Sequence, residues 1–99
     1  RYIGSLKVQD SGKPLPYLNE LECIDGTIYA NIWQSDSIAV IDIKNGNVLK
    51  YLDFSTLAQK TRKKFQKAEV LNGIAYDGKF LWITGKWWPF IYKIILDKN

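Results

Sequence analysis

The chemistry open to this chain is set first by what it lacks. Its 99 residues contain no histidine and a single cysteine, Cys23. Nucleophilic catalysis of the Ser-His or Cys-His kind is therefore excluded within the chain. No disulfide can close inside it, and a zinc site, built mainly from Cys and His, is not expected. Carboxylates, lysines, tyrosines, side-chain amides and backbone groups remain. Candidates of these types stand at Asn19, Gln34 and Lys86, with the indole of Trp33 as a packing surface, and Asn19, Trp33 and Lys86 each have two readings. Lys86, in Gly85-Lys86-Trp87-Trp88, is either a functional cation or a solvated lysine beside a Trp-rich corner. Trp33 is a ligand-facing ring or ordinary sheet packing. Asn19 offers a paired donor and acceptor to a bound group, or it caps the backbone at a strand start, as Asn72 is placed to do. Gln34 is a candidate by its place beside Trp33.

The elements that must position these residues follow from an internal repeat. Leu18 to Ile41 aligns without a gap on Leu71 to Ile94, an offset of 53 positions. Leu18-Asn19 meets Leu71-Asn72, Leu21 meets Ile74, and Ile28-Tyr29-Ala30-Asn31 meets Leu81-Trp82-Ile83-Thr84. Each copy reads as short strands broken by turns. In the first, strands over 18–24 and 27–33 flank Asp25-Gly26, a hairpin signal because glycine takes positive φ freely. Ser35-Asp36 turns into a strand over 37–43, and Lys44-Asn45-Gly46 turns into a fourth over 47–52. The second copy gives strands over 71–76, 80–84 and 90–96, with turns at Asp77-Gly78 and Trp87-Trp88-Pro89. Residues 2–9 read as one further strand, ahead of a loop punctuated by Gly12, Pro14 and Pro16.

Four-stranded antiparallel units at a period near 50 point to the blades of an all-β propeller. The alternative is a plain antiparallel sandwich. Ile28, Ala30 and Ile32 share one face of the 27–33 strand, and Tyr29 and Trp33 the other, so both faces are apolar enough to be sandwiched between neighbouring sheets. The expected organisation is an outer strand and loop over 1–17, a full blade over 18–54, a helical insertion over 55–69 and a three-stranded blade over 70–99. Propellers close with four to eight blades, so the chain reads as the C-terminal part of a larger ring, its last blade completed by a strand from the N-terminal region. The repeat offset also relates Trp33 to Lys86, which places them at the same height on neighbouring blades.

The insertion reads as a helix. Ser55 can cap its start, and Leu57, Thr61 and Phe65 recur at four-residue spacing on one face. Lys60, Arg62, Lys63, Lys64 and Lys67 cover much of the rest. A solvated helix over a blade edge accounts for that charge better than nucleic-acid binding, since no recognisable binding module accompanies it. The formal charge of +4 says little about partners. No apolar run approaches about 18 residues, so no membrane span is expected, and Arg1-Tyr2-Ile3-Gly4-Ser5 does not read as a signal peptide.

Four motifs carry a resemblance. They are Leu18-Asn19-Glu20-Leu21-Glu22, Ala30-Asn31-Ile32-Trp33-Gln34-Ser35-Asp36, Val70-Leu71-Asn72-Gly73-Ile74-Ala75-Tyr76-Asp77 and Thr84-Gly85-Lys86-Trp87-Trp88-Pro89. In order and spacing the chain resembles the C-terminal part of the glutamine cyclotransferases, the plant and bacterial type of glutaminyl-peptide cyclotransferase. The resemblance implies a five-bladed propeller, of which about two blades lie here, and conversion of N-terminal glutamine to pyroglutamate with loss of ammonia. It implies no metal or cofactor, a secreted or periplasmic location, and a substrate that is a peptide with N-terminal glutamine. Lys86 then matches the family's active-site lysine, Asn19 its asparagine and Trp33 its tryptophan, with Gln34 beside it as a substrate contact. The family's catalytic glutamate belongs to an earlier blade. Glu20 and Glu22 are not assigned that role, and the isolated chain is expected to be inactive. The competing reading is a non-catalytic propeller used as a binding module, since fold alone does not fix function.

Overall fold

The computed structural model describes residues 1–96. A two-residue hairpin, β1 (Gln9–Asp10) and β2 (Lys13–Pro14), precedes the main architecture. Strands β3 (Leu18–Ile24), β4 (Thr27–Ile32), β5 (Ser37–Asp42) and β6 (Val48–Asp53) then form one antiparallel sheet in chain order. Helix α1 (Ser55–Lys64) leads into a second antiparallel sheet of β7 (Leu71–Tyr76), β8 (Leu81–Gly85) and β9 (Tyr92–Ile94). The chain is thus mostly β, with one short helix.

The repeat holds at the level of individual strand pairs. Leu18 pairs with Ile32, and 53 positions on, Leu71 pairs with Gly85. Leu21–Ala30, Glu22–Tyr29 and Cys23–Ile28 recur as Ile74–Ile83, Ala75–Trp82 and Tyr76–Leu81. Ile28–Ile41, Tyr29–Val40 and Ala30–Ala39 recur as Leu81–Ile94, Trp82–Lys93 and Ile83–Tyr92. Even the irregularity is shared, with the register slipping after Leu18 in one copy and after Leu71 in the other. A one-residue error in register would turn every side chain to the wrong face, so agreement throughout means that equivalent positions point to equivalent faces of the two sheets, although the faces they find buried differ: Ile38 is buried, and its counterpart Ile91 is exposed.

The main core lies between the two sheets. Tyr29, Ile38 and Val40 pack against Leu71, Leu81, Ile83 and Trp88, with Ala58 of α1 and Ala68 closing one side. A second, smaller cluster of Ala30, Ala39 and Ile41 occupies the opposite face of the first sheet, under Val8 and Leu15. Helix α1 docks through the stripe expected of it. Ala58 and Thr61 are buried, and the Thr61 hydroxyl donates to Leu57 O (2.9 Å) while sharing a hydrogen bond with the Tyr92 hydroxyl (2.7 Å). Helix and edge strand are tied through a satisfied polar pair.

Asp36 is the hub of the assembly. It sits in the turn between β4 and β5, and its carboxylate accepts both Arg62 Nη2 (2.7 Å) and Arg62 Nη1 (3.1 Å) from α1. The same carboxylate accepts the Leu71 N–H at the start of β7 (3.3 Å), and the Asp36 carbonyl accepts Phe54 N–H ahead of the helix (3.0 Å). The Asp36 side chain is 13% exposed. A carboxylate so far removed from water is tolerated because donors surround it. The same hydrogen bonds raise the Arg62 pKa above its ordinary value.

Three expectations are corrected. Residues 2–9 do not form a strand. Only Gln9 lies in a strand, opposite Pro14 in the β1–β2 hairpin; its N–H also donates to Gly46 O (3.0 Å) beside a parallel bridge to Asn47, and Val8 O accepts Leu15 N–H (3.0 Å), while Tyr2 and Ile3 stay exposed. The reason is the Gly46 turn, where φ is +78° and the Lys7 carbonyl occupies the space that a side chain at 46 would need. The incoming segment abuts the turn instead of laddering beside it. Ser55 does not cap α1. The Asp53 carboxylate accepts the Ser55 N–H (2.8 Å), and Phe54 is the capping residue without a side-chain bond. Finally, the last strand is limited to Tyr92–Ile94, since Phe90 O is taken by the Thr84 hydroxyl (2.9 Å). Of the unit expected over 70–99, residues 97–99 lie outside the described residues.

Two outcomes follow. Asp36→Ala leaves the Arg62 guanidinium and the Leu71 N–H without their shared acceptor, so urea unfolding of the whole protein should show a loss of roughly 1.5–3 kcal/mol. An unchanged midpoint would contradict the hub. Asp77 supplies the second test. Its carboxylate accepts Phe80 N–H, then Trp82 Nε1–H and Lys79 N–H, which together hold its pKa below 3.8. A depressed folded pKa means stabilisation that is fully present above the unfolded value and lost as pH falls through the folded one. Carboxyl NMR titration should therefore place the Asp77 midpoint below 3.8, and Asp77→Asn should flatten the acid limb of stability.

Candidate functional site

Asn19, Trp33, Gln34 and Lys86 all lie at one end of the paired sheets. Asn19 is the second residue of β3, at the register slip, and Trp33 and Gln34 directly follow β4. Lys86 directly follows β8. Because Asp36, three residues after Trp33, bonds the Leu71 N–H, the β4–β5 turn sits over the start of β7. Leu71 in turn pairs with Gly85, so Lys86 emerges beside the same junction.

The backbone frames around Trp33 and Lys86 are the same. Trp33 N–H donates to Tyr17 O (2.7 Å), and Lys86 N–H donates to Val70 O (3.1 Å), with donor and acceptor each displaced by the repeat offset. Ser35 N–H to Ile32 O (3.0 Å) is matched by Trp88 N–H to Gly85 O (3.1 Å). The residues inside these turns, Gln34 and Trp87, both adopt left-handed backbone, with φ of 64° and 66°. Bulky residues rarely accept that conformation, and such strain concentrates where a fold is holding something in place. Glycine, the usual signal for left-handed backbone, is absent from both, so sequence reasoning placed turns here but not their left-handed residues.

The two frames present different chemistry. Trp33 is 57% exposed, and its indole stands 5.8 Å, centroid to centroid, from the exposed Tyr17 ring at a 43° tilt. The pair makes an aromatic wall at the sheet end. Tyr17 was not among the sequence candidates; its own left-handed backbone (φ 66°) accompanies the bond from Trp33. Lys86 is exposed. Among the described residues its ammonium forms no ion pair or hydrogen bond, and neither do the side chains of Asn19 and Gln34. Its main chain is held on both sides, however, since Glu69 N–H donates to Lys86 O (2.8 Å). Glu69 O accepts Trp88 Nε1–H (2.7 Å) and Arg62 Nη1–H (3.4 Å). The route from the Trp33 turn to the Lys86 turn is therefore continuous: Asp36, Arg62, Glu69, then Trp88 and Lys86.

Two further residues shape this end. Gly85 lies under the Trp88 indole, and an added Cβ there would fall within the ring. Asn31, two residues before Trp33, is fully buried, and neither its Oδ1 nor its Nδ2 meets a protein partner among the described residues. Its counterpart Thr84 bonds Phe90 O instead. Such a set of groups (an open cation, an amide and an aromatic wall) can hold an apolar chain while donating to a carbonyl oxygen. It offers no carboxylate assigned to move protons.

Residues 1–96 match the sequence model of the family described as Glutamine cyclotransferase. Among curated proteins, the glutaminyl-peptide cyclotransferase of Arabidopsis thaliana is 44% identical over 94 residues, covering 92% of this chain and 29% of its own length. The crystal structure of Myxococcus xanthus glutaminyl cyclase superposes with a TM-score of 0.83 at 36% identity, covering 96% of this chain and 44% of that one. The chain thus spans less than half the length of these relatives.

Gly85→Ala should unseat Trp88 at a cost of about 1–3 kcal/mol, typical of overpacking, with a changed near-ultraviolet circular dichroism signal. Wild-type stability and signal would show that the ring has room to move.

Proposed function

The chain belongs to the glutamine cyclotransferase family, and we propose that the whole protein is a glutaminyl-peptide cyclotransferase to which this chain gives one side of the pocket. The observation carrying this reading is the matched pair of frames that set Trp33 and Lys86 at one end of neighbouring sheets. In the proposed architecture the two sheets are two blades of a five-bladed propeller, divided near residues 17, 54 and 69. The outer face of the second sheet, where Trp82, Ala75 and Ile91 line an apolar depression, packs on a further blade.

The reaction is internal to the substrate. The α-amine nitrogen attacks its own side-chain carbonyl carbon, forming the ring C–N bond and pushing charge onto oxygen. The amine then gives up a proton, the C–N bond to the amide nitrogen breaks, and that nitrogen leaves protonated, as ammonia. Both reacting groups sit on one flexible residue, so much of the barrier is the cost of bending it into line. Trp33 packs against the methylenes and selects the bent form. Lys86 donates to the developing oxyanion, the position where preorganised charge is most effective. Asn19 uses its paired donor and acceptor to orient the amide, with Gln34 beside it. The proton carrier is a glutamate on a blade outside this chain, so residues 1–99 alone do not turn over. The mechanism uses no metal, and the family resemblance supports a secreted or periplasmic site of action.

Lys86→Ala in the full-length protein should lower kcat for ammonia release from an N-terminal glutamine peptide by roughly 10²–10³-fold, while turnover by the wild type survives strong chelation. Binding of such peptides without ammonia release would instead identify a non-catalytic module. Loss of turnover on chelation would overturn the metal-free mechanism.

A further inference from the structure

Trp87 is 67% exposed and sits in left-handed backbone. An indole in that state combines unburied apolar surface with conformational strain, and packing within the chain compensates neither. Its neighbour Trp88, by contrast, is buried and hydrogen-bonded. Trp87 lines an open cavity of about 400 Å³ with Gln66, Lys67 and Glu69. That volume lies in the range of small-ligand sites. The cavity adjoins Lys86 directly, because Trp87 is the next residue and Glu69 N–H is bonded to Lys86 O.

We infer that the Trp87 cavity is a subsite for the residue that follows the N-terminal glutamine of the peptide, with an apolar or aromatic side chain laid on the indole. This rests on the cyclotransferase reading above and extends it to substrate selection. Successive Cα atoms are 3.8 Å apart, so a peptide whose first residue is held at Lys86 carries its second toward Trp87. The Gln66 amide and the opposite charges of Lys67 and Glu69 suit a peptide main chain, which offers donors and acceptors but no net charge. The indole supplies the apolar surface that discriminates among side chains.

The test compares three substrates of the full-length protein: glutaminamide, which has no following residue, Gln-Gly-amide and Gln-Phe-amide. Trp87→Ala should reduce kcat/KM for Gln-Phe-amide by roughly 2- to 10-fold, the worth of an aromatic contact. The loss should fall mainly on KM, as removal of uniform binding does. The loss on glutaminamide should be smaller than on Gln-Phe-amide, and Trp87→Phe should restore most of the peptide rate. An equal loss on all three substrates, or no loss on any, overturns the subsite. Lys86→Ala keeps the two readings apart. If it abolishes turnover of every substrate while Trp87→Ala changes none, the cyclotransferase reading stands and the subsite falls. A wild type inert toward all three overturns both.

Discussion

The two-pronged bond between the Asp36 carboxylate and the Arg62 guanidinium is the constraint on which the rest of this structure hangs. A carboxylate largely withdrawn from water must be compensated on every lone pair it can offer. Here compensation comes from two places, the helix through Arg62 and the second sheet through Leu71 N–H, and the Asp36 main-chain carbonyl adds a separate tie by accepting Phe54 N–H at the helix approach. Removing one partner of such a pair is costly chiefly because the other is left uncompensated. The consequence is geometric as well as energetic. The Trp33 turn cannot shift relative to the second sheet without breaking bonds to both helix and strand.

From Arg62 the constraint passes to Glu69, whose carbonyl also receives the Trp88 indole and whose N–H fixes the Lys86 carbonyl. The cation of the helix is thus a structural strut toward the second sheet. Its lysines, Lys60, Lys63 and Lys64, face solvent, as does Lys67 just beyond its end, in line with the solvated helix that the sequence suggests. Glu69 plays its part entirely through its main chain.

Much of the fold was legible because repetition made it redundant. The 53-residue offset, visible in residue character from Leu18 to Ile41, reappears pair by pair in the strand register. The four candidate residues were legible as types and as motif positions, and the offset linking Trp33 to Lys86 anticipated their shared end of the sheets. Interactions without local periodicity were not legible. Asp36 and Arg62 are 26 residues apart, and nothing in either segment names the other, although an all-basic helix implies an acid elsewhere. The left-handed turns at Gln34 and Trp87 carry no glycine to announce them, and the Ser55 capping signal was outcompeted by a carboxylate two residues earlier. The apolar character of residues 2–9 suggested a strand, but pairing needs a free edge, and the Gly46 turn meets that segment first.

The matched frames at Trp33 and Lys86 separate two tasks that most positions in a protein must perform together. All the bonds that define these slots are made by main-chain atoms, so folding reads only the backbone there. The side chain is left free of structural duty, and one slot can hold an indole while its twin holds an ammonium with no change in architecture. A repeated sheet therefore supplies a second socket at the same end as the first. Selection can then fit that socket with a new functional group without first rebuilding the scaffold around it.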